Sequence, residues 1–145
     1  MELTDVAPSF EVLQDCTRLA ALQRLRLRAC HFDDAAAAAL FACCQQLTSL
    51  DLECYHSAVF RLHGLRLLAQ LKRLYIADYS YALPQELVQA PTLETLDVSA
   101  CALLELGQQD VNLLCRLPRL RELGLPGADP TQSVEEEEED WKSCN

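Results

Sequence analysis

Hydrophobic and polar residues alternate in the stretch LQRLRLRAC near the start of the chain. Side chains of a β-strand point alternately to its two faces, so this period of two separates the leucines from the arginines. Leu25 and Leu27 are predicted to face a core, whereas Arg24, Arg26 and Arg28 are predicted to face water or a partner. One face of this strand therefore needs a covering layer and the other does not.

The same spacing returns in four further stretches of the chain. They are LTSLDLECY from Leu47, LKRLYIADY from Leu71, LETLDVSAC from Leu93 and LRELGLPGA from Leu120. Each has a leucine, two variable residues, a second leucine, one variable residue and an aliphatic residue. Successive stretches begin 25, 24, 22 and 27 residues apart, which is typical of a protein built from internal repeats.

Apolar residues also recur upstream of each stretch, three and six positions before its first leucine. The two sets are Leu19, Cys44, Leu68, Ala90 and Leu117, and Cys16, Phe41, Leu65, Leu87 and Leu114. This spacing marks one stripe of a helical turn, so it predicts a segment packed behind each strand. In the second unit, Asp33 or Asp34 is predicted to cap a helix that the following alanines propagate.

Together these features resemble the leucine-rich repeat family over about residues 10–128. The resemblance implies an α/β fold in which neighbouring units stack because no unit can bury its own leucines. The expected architecture is a leucine-rich repeat solenoid of about five repeats, with a concave parallel β-sheet and helices or irregular turns on the convex side. The domains are then an N-terminal helical half-repeat or cap at 1–19, the repeats at 20–128 and an acidic disordered tail at 129–145.

The ninth residue of each stretch departs from the family pattern, which usually has Asn there or, in a cysteine-containing subclass, Cys. Here the ninth residues are Cys30, Tyr55, Tyr79, Cys101 and Ala128. Cysteine is expected to act as a small buried hydrophobic residue. The first two units resemble the cysteine-containing repeats of F-box substrate receptors, whereas LPQELVQAPTLETLDVSAC resembles the repeats of plant immune receptors.

Strands stacked about 4.8 Å apart would align the outward-facing residues in columns across the sheet. The residues assigned to this face and to partner binding are Arg24, Arg26, Arg28, Ser49, Asp51, Glu53, Arg73, Tyr75, Thr95, Asp97, Ser99 and Glu122. Arg26 is placed beside Asp51, and Arg28 beside Glu53, so two cross-strand ion pairs are predicted. Either these pairs only keep the sheet soluble, or the face binds a partner with Arg and Tyr as anchors.

The formal net charge of −10 over 145 residues disfavours nucleic acid as a partner, since clustered Lys and Arg carry that binding. The N-terminus lacks a signal-peptide pattern, and the apolar run AAAAALFACC is too short to span a membrane. No membrane association is expected, and the chain is assigned to the cytoplasm or the nucleus. Its eight cysteines are accordingly expected to be reduced thiols.

Catalytic and metal-binding patterns find little support in the sequence. His31, His56 and His63 belong to no nucleophile or metalloprotease motif. The group Cys43, Cys44, Cys54 and His56 contains no CxxC pair, and Cys44 occupies an apolar repeat position. The chain is therefore expected to have no catalytic site, no cofactor and no metal.

The two ends of the chain leave alternatives open. The C-terminal run EEEEED is either a solubilising extension or a docking strip for basic proteins, and it resembles the longer tails of acidic leucine-rich nuclear phosphoproteins. Residues 9–19 are predicted to cover the first strand, whereas nothing after Leu125 is predicted to cover the last one. The fifth unit is then partly exposed, or a partner completes it, or the chain ends a longer protein with further N-terminal domains.

The sequence thus predicts a non-catalytic module that recognises a protein partner on its concave sheet. The leading hypothesis is that the module is the substrate-recognition part of an F-box type ubiquitin ligase receptor, because of its cysteine-containing repeats. The alternative is an acidic leucine-rich nuclear-type protein that binds histones or other basic proteins through the C-terminal tail.

Overall fold

The fold is α/β and is built around one parallel sheet. The computed structural model describes residues 2–4, 19–28, 34–54, 62, 64–78 and 82–127. Its elements are β1 (Glu2–Thr4), β2 (Arg24–Arg28), α1 (Asp34–Cys43), β3 (Ser49–Cys54), a 3₁₀ segment (Leu65–Leu67), β4 (Arg73–Asp78), a second 3₁₀ segment (Gln85–Gln89), β5 (Thr95–Asp97), α2 (Gln108–Leu114) and β6 (Glu122–Gly124). The strands lie side by side in chain order, and every neighbouring pair is parallel.

The first strand, β1, was not predicted from the sequence. It pairs with β2 so that Leu3 lies opposite Leu27. The helical cap predicted at 1–19 is therefore wrong at residues 2–4, while residues 5–18 of that cap lie outside the described residues. A strand of three residues carries too little alternation to be detected in a sequence, so its backbone pairing is the observation that defines it.

Strands β2 to β6 come from the five predicted units, and their register confirms the expected columns. Leu25, Leu50, Leu74, Leu96 and Leu123 lie opposite one another in successive strands. The first four of these leucines are buried, whereas Leu123 in the last strand is only half-buried. The alternation read from the sequence therefore places one continuous row of leucines in the core, and this row is less well covered at its C-terminal end.

A repeated pattern of backbone hydrogen bonds precedes each of the later strands. In β3, β4, β5 and β6, the first strand residue and the residue before it both donate their N–H groups to one carbonyl of the preceding unit. These carbonyls belong to Gln23, Thr48, Lys72 and Glu94. Since the acceptor residues occupy the same position of each unit, the units superimpose along the sheet as the sequence spacing requires.

The segments behind the sheet bury the predicted apolar stripe. Phe41, Leu65 and Leu87 at one position, and Cys44 and Leu68 at the other, are all 0–1% exposed. The segments themselves differ, since α1 has ten residues and the two following segments are short 3₁₀ turns. Helix α1 begins at Asp34 and contains the alanine run, as predicted.

Gly64 shows why the third unit approaches the second so closely. Its φ of 86° lies in the left-handed region, which residues with a Cβ rarely adopt. A Cβ at this position would also lie 3.0 Å from Cα of Ala38 in α1. The glycine therefore permits both the turn into the 3₁₀ segment Leu65–Leu67 and the contact with the helix of the preceding unit.

The cysteines correct one expectation from the sequence. Cys43 and Cys115 are disulfide-bonded, which contradicts the expectation of reduced thiols at these two positions. Cys44 and Cys101 are buried and keep their thiol groups. The Sγ atom of Cys101 donates a hydrogen bond to the carbonyl oxygen of Ile76 at 3.2 Å. The ninth residue of the fourth unit is thus both a packed apolar group and a donor that links two units.

Burial also raises the pKa of the Cys44 thiol, because the low-dielectric core disfavours the thiolate. An exposed thiol ionises at about pH 8.5, so the unfolded chain loses this proton first as the pH rises. The contribution of the buried Cys44 thiol to the free energy of unfolding is therefore fully present below about pH 8.5 and is lost as the pH rises above it. We expect the free energy of unfolding to fall less steeply between about pH 8 and about pH 10 in Cys44→Ala than in the wild type. Urea unfolding followed by circular dichroism at several pH values measures how the free energy of unfolding changes with pH in both proteins. An equal dependence on pH would contradict the raised pKa of Cys44.

Candidate protein-interaction surface

We define the open face as the side of the sheet opposite to the leucine core. Its described strand residues are Arg24, Arg26, Arg28, Ser49, Asp51, Glu53, Arg73, Tyr75, Ala77, Thr95, Asp97, Glu122 and Gly124. The register aligns them in three columns, and Ser99 lies exposed two residues beyond β5. The structure therefore brings together on one surface eleven of the twelve residues predicted to bind a partner, with Ser99 just outside the sheet.

The N-terminal half of the open face contains both predicted ion pairs. The Nε and Nη2 atoms of Arg26 each lie 2.9 Å from Oδ2 of Asp51. Nε of Arg28 lies 3.1 Å from Oε2 of Glu53 in the second ion pair. Both arginine side chains are more than 40% exposed, so solvent screening limits each pair to about 0.2–1 kcal/mol.

In the C-terminal half of the open face, the charged side chains are not paired with one another. Arg73, Asp97 and Glu122 form no ion pair among the described residues. Asp97 accepts a hydrogen bond from the backbone N–H of Ser99 at 2.9 Å, and Glu122 accepts one from the Thr95 hydroxyl at 3.1 Å. Both acidic groups are therefore oriented by neutral donors, and neither has an ion-pair partner in the part of the chain that the structure describes.

Gly124 is a site residue that sequence reasoning missed. It lies opposite Asp97 in the register, and a Cβ there would lie 2.5 Å from Oδ1 of Asp97. The missing side chain makes room for the carboxylate, which leans over the backbone of the last strand. The signal in the sequence is the glycine at a position where the other units have Arg, Asp or Tyr.

Metal binding has no support in the described part of the chain. It contains no group of three or more His, Cys, Asp or Glu side chains that could hold an ion. The three histidines and the side chain of Cys54 lie outside the residues that the structure describes. No helix among the described residues combines the length and the apolar character that crossing a membrane requires.

Comparisons of the chain with models of protein families, with curated proteins and with solved structures find no match. The function is therefore inferred from the geometry and chemistry of the sheet.

Proposed function

We propose that this chain is a leucine-rich repeat solenoid that binds a protein partner on the open face of its sheet. The observation that carries the proposal is the register, because residues 22 to 27 positions apart in the sequence form continuous columns on one surface. One side of the sheet is filled with leucines, and the other presents Arg, Asp, Glu and Tyr side chains. Tyr and Arg are enriched among the residues that dominate binding energy at protein interfaces.

The hydrogen bond from Cys101 to Ile76 supports assignment to the cysteine-containing repeats, since it gives the ninth residue a role between units. On that basis we propose the substrate-recognition part of an F-box type ubiquitin ligase receptor as the context. Binding of basic proteins by the acidic tail is the alternative, and the tail lies outside the described residues.

The test is capture of proteins from lysate by the immobilised full-length chain and by two matched variants. The double variant Arg73→Ala with Tyr75→Ala removes two large side chains at the centre of the open face. Arg119→Ala with Leu103→Ala removes one arginine and one large apolar side chain at exposed positions away from it. We expect the first variant to lose the captured proteins and the second to retain them.

A third chain, truncated after Gln132, separates the two candidate functions. Partners lost only on truncation would place binding in the tail and overturn the proposed role of the open face. Ubiquitin-ligase scaffold proteins among the partners that depend on the open face would support the F-box type context. Circular dichroism of every variant must match the wild type, so that loss of binding is not loss of folding.

A further inference from the structure

The fifth unit is less well buried than the three units before it at every apolar position of the repeat. Its apolar residues are Leu114, Leu117, Leu120, Leu123 and Leu125, of which the first three are 6–8% exposed and the last two are half-buried. In the second, third and fourth units the residues at these positions are 0–1% exposed, except for one isoleucine at 6%. The leucines of the fifth unit are therefore the ones that a further layer would cover.

Two backbone groups that flank β6 are unpaired, although the preceding units use the equivalent groups to hold the next strand. The carbonyl of Arg121 occupies the position of the four carbonyls that each accept two N–H groups from the following unit. The N–H of Leu125 occupies the position of the N–H of Val98, which donates to the carbonyl of Gly124 in β6. Neither group forms a hydrogen bond with any residue that the structure describes. The outer edge of β6 thus offers the same acceptor and donor with which β5 holds β6.

The sequence pattern of a strand that fits this edge follows from the units already in the sheet. To continue the leucine row it needs aliphatic residues opposite Leu123 and Leu125, which is the pattern L-x-x-L-x-aliphatic that begins each unit of this chain. Residues 128–145 contain no leucine and so cannot supply it. Among the described strands, a second copy of the chain offers only β1 for parallel pairing, and β1 has three residues and one leucine. The occupant that fits is a segment of another protein.

We propose that the outer edge of β6 binds a leucine-rich segment of a partner protein, which adds a further parallel strand to the sheet. The first strand residue of that segment and the residue before it donate their N–H groups to the carbonyl of Arg121. The third strand residue accepts the N–H of Leu125, and the aliphatic side chains cover the half-buried leucines of the fifth unit. This surface consists of backbone groups and leucines, so the inference goes beyond the proposed function of the open face and does not depend on it.

The test is a titration of the ¹⁵N-labelled full-length chain with the synthetic peptide LRLLAQLKRLYIAD, which is the sequence of residues 65–78. Within the chain this segment pairs with its neighbour in the proposed manner, since the N–H groups of Lys72 and Arg73 both donate to the carbonyl of Thr48. We expect the peptide to shift the amide resonances of β6 and to slow hydrogen exchange of the Leu125 N–H. Absence of both effects with the peptide at about 1 mM, where even weak binding is detected, would overturn the proposal.

Modified peptides test the backbone pairing directly. N-methylation of the peptide at Lys72 and Arg73 removes the two donors to Arg121 and should weaken binding about ten-fold. N-methylation at Arg66 and Leu67 is the matched control, because these nitrogens donate no hydrogen bond to the neighbouring unit. We expect the control to bind like the unmodified peptide. Equal weakening by both modifications would show that the two donors contribute nothing and would overturn the proposal.

Variants of the protein locate the bound peptide. Leu123→Ala should weaken binding about five-fold, whereas Leu103→Ala, at an exposed leucine away from β6, should leave it unchanged. The double variant Arg73→Ala with Tyr75→Ala should also bind the peptide normally, and loss of binding there would place the peptide on the open face and overturn the proposal.

Two other results would also overturn it. Shifts confined to β3, β4 and β5 would mean that the peptide replaces the chain's own third unit. Concentration-dependent shifts of the β6 amides without peptide would identify a second copy of the chain as the occupant. The modified peptides are titrated into the wild-type chain, so their result stands even if Leu123→Ala unfolds the last unit.

Discussion

Replacing Asp110 by alanine is expected to lower the free energy of unfolding by about 2–4 kcal/mol. Asp110 is 4% exposed, and its carboxylate accepts hydrogen bonds from two backbone N–H groups that are far apart in the sequence. Oδ1 accepts the N–H of Leu83, and Oδ2 accepts the N–H of Gly107, both at 2.9 Å. Alanine would leave the buried N–H of Leu83 without its partner, which costs about 1–3 kcal/mol, and would remove the hydrogen bond to the exposed Gly107, which contributes about 0.5–1.5 kcal/mol. Urea unfolding followed by circular dichroism measures the loss.

Two further variants separate this effect from a general loss of acidic charge. Asp110→Asn keeps one acceptor oxygen and should lose about half as much stability, because only one of the two N–H groups stays paired. Glu105→Ala removes an exposed carboxylate five residues earlier and should change stability by less than about 0.5 kcal/mol. A loss in Asp110→Ala no larger than that in Glu105→Ala would show that the two hydrogen bonds add nothing to stability.

Of the two hydrogen bonds of Asp110, one is local in the sequence and the other joins two distant segments. Gly107 is the N-cap of α2 and Asp110 is the third residue of that helix, so the bond between them lies within one helical turn. The contact with Leu83, however, joins residues 27 positions apart in two different units. No local pattern encodes it, since it depends on how closely α2 packs against the segment before Gln85–Gln89.

The strands and their register were predictable because they follow from two simple sequence patterns, the alternation of leucines with polar residues and the spacing of the repeats. A leucine needed in the core fixes the faces of its strand, and equal positions in successive units then fix the columns. The ion pairs Arg26–Asp51 and Arg28–Glu53 followed directly from those columns. The type of segment behind each strand did not, since an alanine-rich stretch formed a helix while the units containing Gly64 and Pro84 formed short 3₁₀ turns.

Charge balance on the open face was only partly predictable. The sequence shows that Arg, Asp and Glu occupy the columns, but not which charges meet. Asp97 and Arg73 lie on neighbouring strands, yet they are diagonal to each other and form no ion pair, whereas Arg26 and Asp51 lie directly opposite and do. The difference between the half of the open face with paired charges and the half without them could therefore be recognised only from the positions of the side chains.

The second large effect is expected in the leucine row of the core. Leu96 in β5 is fully buried, and Leu96→Ala should lower the free energy of unfolding by about 3–4 kcal/mol, through lost transfer energy and the cavity left behind. Leu123 occupies the same position in β6 but is half-buried, so Leu123→Ala should cost only about 1–2 kcal/mol. Urea unfolding of both variants at one temperature measures the difference.

This pair of substitutions tests whether the last unit is covered. The two leucines have the same side chain, the same strand position and adjacent places in the sheet, so their difference reports burial alone. Leu103→Ala, at an exposed leucine in the loop after β5, provides the baseline and should cost less than about 1 kcal/mol. If Leu123→Ala proved as costly as Leu96→Ala, the end of the leucine row would be as well covered as its centre. The observed gradient of burial would then not describe the protein in solution.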